Sequence, residues 1–362
     1  MQQNRSSRCM NRLVHLDLLR IVAIFLVVFN HTGNRGFTLF VEKIGSPLYF
    51  PYMLFSIVCK VAVPLFFMIS GALLLSKQES YQKLFFKRIL RILIVLILIS
   101  VPYYFWLHRT EGLGISNFFT YVYGNSASTS LWYLYSYIGL LLLLPFLRSM
   151  VKNLQSKDYV YLILGHIALV GVLPCLEFCL WKGNVTIHTS FSATIFVTQN
   201  IFYAVVGYYL EHVFDETNYN RKTVLTGILL GIGAIIVTGL ITYYQTVTVV
   251  NISLEQVEQF FECFICIPAI IIYLTVKYWC SRIHYQRFRV ALAVLGEAVF
   301  GVYLIEKFAR ALTDCVYTIL APIAGSFVAS LVWCAATIIL SFLVVIPLKH
   351  IPGIKKIVNT FI

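Results

Sequence analysis

Charge is scarce in this sequence. Only 12% of its 362 residues are Asp, Glu, Lys or Arg, where a soluble globular domain carries about 25%. Acids are scarcest, 15 Asp+Glu against 28 Lys+Arg. Internal repeats, low-complexity tracts and inverted-repeat signatures are also lacking, so the chain does not read as a solenoid or a repeat-built transporter. Long polar stretches are missing as well, and no soluble domain is expected. The nine cysteines include one CxxC, Cys263 and Cys266, with no second pair and no neighbouring histidine. A metal or redox site needs several convergent ligands, and none is expected.

What the chain has is hydrocarbon: 59% hydrophobic residues and a mean hydropathy of +0.82. The apolar residues cluster in blocks of about 20, the length that crosses a bilayer as a helix. The blocks fall at 13–33, 52–75, 89–107, 131–148, 159–176, 195–213, 223–243, 260–279, 290–308 and 323–347. The expected fold is all-α, a multi-pass membrane protein of about ten helices forming one domain over 1–362.

The net charge of +13 has two readings, nucleic acid or membrane topology. The basic residues flank apolar blocks and build no basic domain, so nucleic acid is not an expected partner. Segments 1–12, 76–91, 148–158, 212–222, 277–289 and 349–356 hold most of the Lys and Arg. The alternate segments are poor in them: 108–130 has only Arg109 and 244–259 has none. An even number of spans with both termini cytoplasmic satisfies every loop at once. Arg5, Arg8 and Arg12 precede an apolar run as in a signal peptide. That run carries Asp17 and Arg20 and lacks a small-residue cleavage site, so it is read as a retained first span.

Three polar residues interrupt this first span. Arg20 and His31 are eleven positions apart, so on a helix they share a face to within roughly 20° and stand roughly 16 Å apart along the axis. Asp17 lies one turn from Arg20, within pairing reach. Ionisable groups inside a span usually face a protein interior or a wet cavity and carry function. Imidazole accepts and returns protons near neutral pH, so His31 is a candidate general base. The topology puts His31 outward and Asp17 and Arg20 toward the cytoplasm.

Other positions carry paired readings. Lys60 precedes Pro64, which bends its helix; it either neighbours His31 or snorkels outward. Lys87, Arg88 and Arg91, with Lys83, form a basic cluster at a cytoplasmic boundary. Such a cluster contacts lipid headgroups or clamps the phosphates of an anionic cofactor. Trp132 and Tyr133 suit an interfacial aromatic belt, the safer reading, or a platform for a sugar ring. Glu306 either orients His31, binds an acceptor hydroxyl, or pairs with Lys307 or Arg310 near the headgroups. Glu211 and His212 read as interfacial. Asn184-Val185-Thr186 and Asn251-Ile252-Ser253 match a glycosylation sequon that is short enough to recur by chance.

Several of these motifs together resemble one family. Leu16-Asp17-Leu18-Leu19-Arg20, with His31 eleven residues on, is followed by Val63-Pro64-Leu65-Phe66-Phe67-Met68-Ile69-Ser70-Gly71. Arg88-Ile89-Leu90-Arg91, Leu131-Trp132-Tyr133-Leu134 and Phe300-Gly301-Val302-Tyr303-Leu304-Ile305 complete the set. The chain is similar over nearly its whole length to the acyltransferase-3 family of integral membrane acyltransferases. The resemblance implies a ten-helix protein of the cell membrane, that of a bacterium, which takes an acyl group, usually acetyl, from cytoplasmic acyl-CoA. It passes that group to a hydroxyl of a glycan or lipid-linked sugar. It implies that His31 is catalytic and that Arg20, Arg88 and Arg91 handle the donor. The family often has histidine where this chain has Glu306, so the resemblance assigns that position no role. Apart from the resemblance, no metal is expected, and membrane lipid is an expected neighbour. The rival reading from residues alone is a transporter or flippase, since a polar line through a helix also suits a permeation path.

Overall fold

A computed structural model describes residues 13–107, 114–124, 128–186, 188, 198–215, 220–249, 253–283, 285–349 and 351. Arg5, Arg8, Arg12, Arg109 and the sequon at Asn251 lie outside the described residues. Among those described the fold is all-helical, without strands.

The helices are α1 (Val14–Asn30), α2 (Tyr49–Cys59), α3 (Ala62–Leu74), α4 (Tyr81–Leu84), α5 (Leu90–Leu107), α6 (Ile115–Gly124), α7 (Trp132–Asn153) and α8 (Ser156–His166). They continue as α9 (Leu173–Trp181), α10 (Gln199–His212), α11 (Arg221–Thr248), α12 (Leu254–Glu258), α13 (Cys266–Cys280), α14 (Gln286–Leu312), α15 (Asp314–Ala324) and α16 (Ser326–Leu348). Each of the ten apolar blocks therefore forms helix. Among the described residues, six runs are long and apolar enough to cross a membrane by length and composition: Tyr49–Leu74, Thr129–Asn153, Ser156–Trp181, Arg221–Thr248, Gln286–Leu312 and Ser326–Leu348. Helices α1, α5, α10 and α13 occupy the other four blocks. Four helices lie outside those blocks or nearly so: α4, α6, α12 and α15. Helices α4 and α12 are only four and five residues long, and α6 and α15 bury no residue fully, so they carry little of the core signal that sequence periodicity reports.

Helix α1 is the axis of the bundle. It packs on α2, α3, α13, α14 and α16, and Leu19, Ala23, Ile24, Val28 and Phe29 are wholly buried. That explains how a span with Asp17 and Arg20 is tolerated: its polar groups meet protein rather than lipid. Pro64 lies in the first turn of α3 and has no N–H to give. The chain breaks just before it, where the Lys60 and Val61 amides turn to carbonyls three residues back, at 3.0 and 3.1 Å. This break directs Lys60 out of the helical ladder.

Helices α3 and α10 touch backbone to backbone. A Cβ on Gly71 would fall onto the Ala204 carbonyl, and one on Gly207 onto that of Met68. Small residues permit this approach where lipid supplies no hydrophobic drive. Between α4 and α5, residues Phe85–Ile89 wind as a π turn, a local widening that is frequent at functional sites.

Candidate active site

His31 caps the C-terminal end of α1. Its Nδ1–H donates to Glu306 Oε1 at 2.9 Å. Glu306 comes from α14 and is completely buried. One turn along the same helix, Arg310 Nε stands 3.6 Å from Oε2 and offsets the carboxylate's charge. Three bonds fix this part of α14. Tyr303 Oη donates to the Ser130 carbonyl at 2.6 Å, Tyr103 Oη to the Leu304 carbonyl at 3.0 Å, and Lys307 Nζ to Ser128 Oγ at 3.3 Å. With Nδ1 committed, the other ring nitrogen, Nε2, is the one left for chemistry.

Near the other end of α1, Arg20 donates from Nη1 to Asp17 Oδ1 at 2.9 Å, and Asp17 is buried. The room for that carboxylate comes from α14. A Cβ on Gly296 would lie 2.5 Å from Asp17 Oδ1, so only glycine lets the two helices close over the pair.

Arg88, in the π turn, holds Glu79 with two bonds, Nε to Oε2 at 2.9 Å and Nη2 to Oε1 at 2.8 Å. Arg148, from α7, adds Nη2 to Glu79 Oε2 at 2.9 Å and Nε to the Leu74 carbonyl at 3.1 Å. Glu79 lies in the connection after α3, outside the spans. The Arg88 hydrogen bonds, followed by those of Arg148, outweigh its partial desolvation and hold its carboxyl down at about 2. Beside it, burial and then the Arg88 charge hold the Lys77 ammonium below its ordinary range. The charges gathered here are predominantly positive.

One cavity of about 310 Å³ connects these places. Arg88, Lys77 and Arg20 line it, as do His31, Lys60, Ser130, Trp132 and Tyr133. Between them the wall is apolar, from Val27, Phe66, Ile69, Leu73, Ile92 and Val299.

The acyltransferase 3 family model, described as an acyltransferase domain, matches residues 13–360. The chain belongs to that family. No curated protein and no solved structure matches it. Among its described residues this acyltransferase is all-helical, with helices fit to span a membrane, and its cavity is its candidate active site.

Of the residues singled out by sequence, the acyltransferase gathers Arg20, His31, Lys60, Arg88, Trp132 and Tyr133 around that cavity. Asp17 and Glu306 stand behind the wall, each bonded to a lining residue. Lys87 is exposed and Arg91 half-buried, and neither lines the cavity. Lys87 adjoins Arg88 in the π turn but is exposed, and Arg91 lies beyond that turn. Lys60 is paired with Glu258 at 2.8 Å. Trp132 is about half exposed, and Tyr133 packs on Phe67 with ring centroids 5.0 Å apart. Glu211, read from sequence as interfacial, is a junction of side chains. It accepts from His15 Nε2 at 3.0 Å and Tyr273 Oη at 2.8 Å, with Lys277 at 3.3 Å.

Sequence reading missed Glu79, Arg148 and Gly296. Glu79 had a signal, being the lone acid in the basic segment 76–91. Arg148 lies 69 positions from Glu79, and Gly296 is one of 20 glycines. Nothing local marks either.

Proposed function

We propose that this acyltransferase moves an acyl group, acetyl foremost, from cytoplasmic acyl-CoA to a hydroxyl of a cell-surface or lipid-linked glycan, in the plasma membrane of a bacterium. The observation that supports this reading is the continuous cavity, cationic at Arg88, Lys77 and Arg20 and ending beside the His31–Glu306 pair. CoA is a polyanion with a long neutral arm ending in a thioester. Arginine guanidinium is suited to its phosphates. The apolar middle of the cavity suits the arm, and the thioester then reaches His31. Arg91 and Lys87 add to the positive field at the donor's entry.

In the reaction the acceptor oxygen bonds to the thioester carbon as its proton passes to His31 Nε2. The C–S bond breaks, and the CoA thiolate takes that proton back, leaving an ester and free CoA. Glu306 holds the imidazole by Nδ1 and stabilises the imidazolium formed midway. Lys60, Trp132 and Tyr133 border the place where the acceptor approaches, the aromatic faces being suited to a sugar ring.

The full chain in native membrane vesicles, given labelled acetyl-CoA, is expected to release CoA and label envelope glycan. His31→Ala at equal expression is expected to do neither. Normal labelling by His31→Ala would refute the mechanism. Movement of an unmodified glycan across the vesicle, with no CoA released, would favour a transporter instead.

A further inference from the structure

Asn30 is the last residue of α1 and the immediate neighbour of His31. Both line the cavity, although side chains of successive helical residues diverge by about 100°. The cavity therefore borders two successive residues at the end of the helix. The Asn30 side chain makes no hydrogen bond among the described residues, and its Oδ1 is enclosed by protein. The residue itself is only half-buried, and its Nδ2, which makes no hydrogen bond, is not among the enclosed atoms, so the amide is the accessible end of a carboxamide whose residue lines the cavity. Two other donors on the cavity wall already hold carboxylates, Lys60 Nζ that of Glu258 and Gln199 Nε2 that of Glu262, whereas the Asn30 amide holds none.

Acyl transfer needs such a donor. When the acceptor oxygen attacks, the carbonyl π pair moves onto oxygen and an oxyanion forms within reach of His31. The C-terminal end of a helix presents carbonyls, not amide N–H groups, and carries the negative end of its dipole. At His31 the backbone amide is already bonded to the Val27 carbonyl at 3.1 Å. The end of α1 by itself thus repels an oxyanion, and a side chain must supply the hydrogen bond.

We propose that Asn30 is a catalytic residue whose Nδ2–H donates to the thioester carbonyl oxygen and holds the oxyanion while His31 carries the proton. Collapse of that intermediate returns the electron pair to the carbonyl, expels CoA thiolate and frees the Asn30 amide for the next donor. This rests on the acyl-transfer reading and adds the group that stabilises its intermediate. An oxyanion donor acts on the transition state more than on bound substrate, so its loss lowers kcat and spares KM.

The test uses the full chain in native membrane vesicles, which carry the acceptor, with CoA release from acetyl-CoA as readout. Asn30→Ala and Asn30→Asp are expected to lower kcat by about 10²–10³-fold, with the KM for acetyl-CoA within about twofold. The aspartate has the same shape but no amide donor. S-ethyl-CoA, a thioether without a carbonyl, is expected to bind the wild type and both variants equally. Wild-type kcat in Asn30→Ala overturns the proposal, as does a loss confined to KM or to thioether binding. If the wild type releases no CoA, the acyl-transfer reading falls and this proposal with it. If the wild type is active and His31→Ala inactive while Asn30→Ala is unimpaired, only the role of Asn30 falls.

Discussion

Glu306 accepts a 2.9 Å hydrogen bond from His31 across 275 positions of chain, joining the end of α1 to the C-terminal third of α14. The carboxylate fixes which imidazole nitrogen carries the proton and opposes the charge that appears when the other is protonated. Glu306→Gln keeps the shape and removes that charge. CoA release is expected to fall by about 10²-fold or more in kcat, with little change in the KM for acetyl-CoA. An unchanged kcat would assign Glu306 to packing alone.

Gly296 makes room for the Asp17–Arg20 pair. Gly296→Ala puts a methyl group 2.5 Å from Asp17 Oδ1 and must displace the carboxylate or part the helices. Losing about 1.4 kcal/mol of that arrangement in the transition state is a tenfold loss. CoA release is expected to fall about tenfold or more, while Gly233→Ala, which meets nothing within 4 Å, is expected to be silent. Steady-state kinetics of the two variants side by side checks this.

The contact of α3 with α10 leaves no room for a methyl. Gly71→Ala and Gly207→Ala each drive a Cβ into the facing backbone, and overpacking costs about 1–3 kcal/mol. Thermal unfolding in detergent is expected at a lower Tm for both, with the double variant no better than the worse single. A wild-type Tm in either would show that the helices can slide apart freely.

Glu79 makes stability depend on pH. Its carboxyl is held at about 2 in the folded chain, below the ordinary value of about 4.3. A depressed carboxylate contributes stability that is complete above its unfolded pKa and is lost as pH falls through the folded one. The contribution, on the order of 3 kcal/mol, is thus expected to fade from about pH 5 down to about 2. Denaturation across that window is expected to be steeper in pH for the wild type than for Glu79→Gln. Equal slopes would place the arginine clamp outside the stability balance.

The family motifs were legible because they are local. Asp17, Arg20 and His31 announced themselves by spacing along one helix, and so did the basic cluster around Arg88. The partners of these residues were not legible. Glu306 had three readings open until α14 was seen against α1, and Lys60 was left between His31 and solvent until Glu258 met it. Arg148 belonged to an ordinary span end.

From the order of residues alone it follows that the chain is helical and membrane-suited, which blocks become helices, and which line of polar residues is out of place. Those properties follow from hydropathy and helical periodicity, which act over about 20 residues. It takes the packed fold to show that α1 is the central helix, that Arg88 lines the cavity while Lys87 and Arg91 do not, and that Glu79, Arg148 and Gly296 support the site. Each of those depends on side chains far apart in the chain meeting at distances of a few ångströms. A pattern with a 3.6-residue period fixes which way a residue faces on its helix, not what lies opposite.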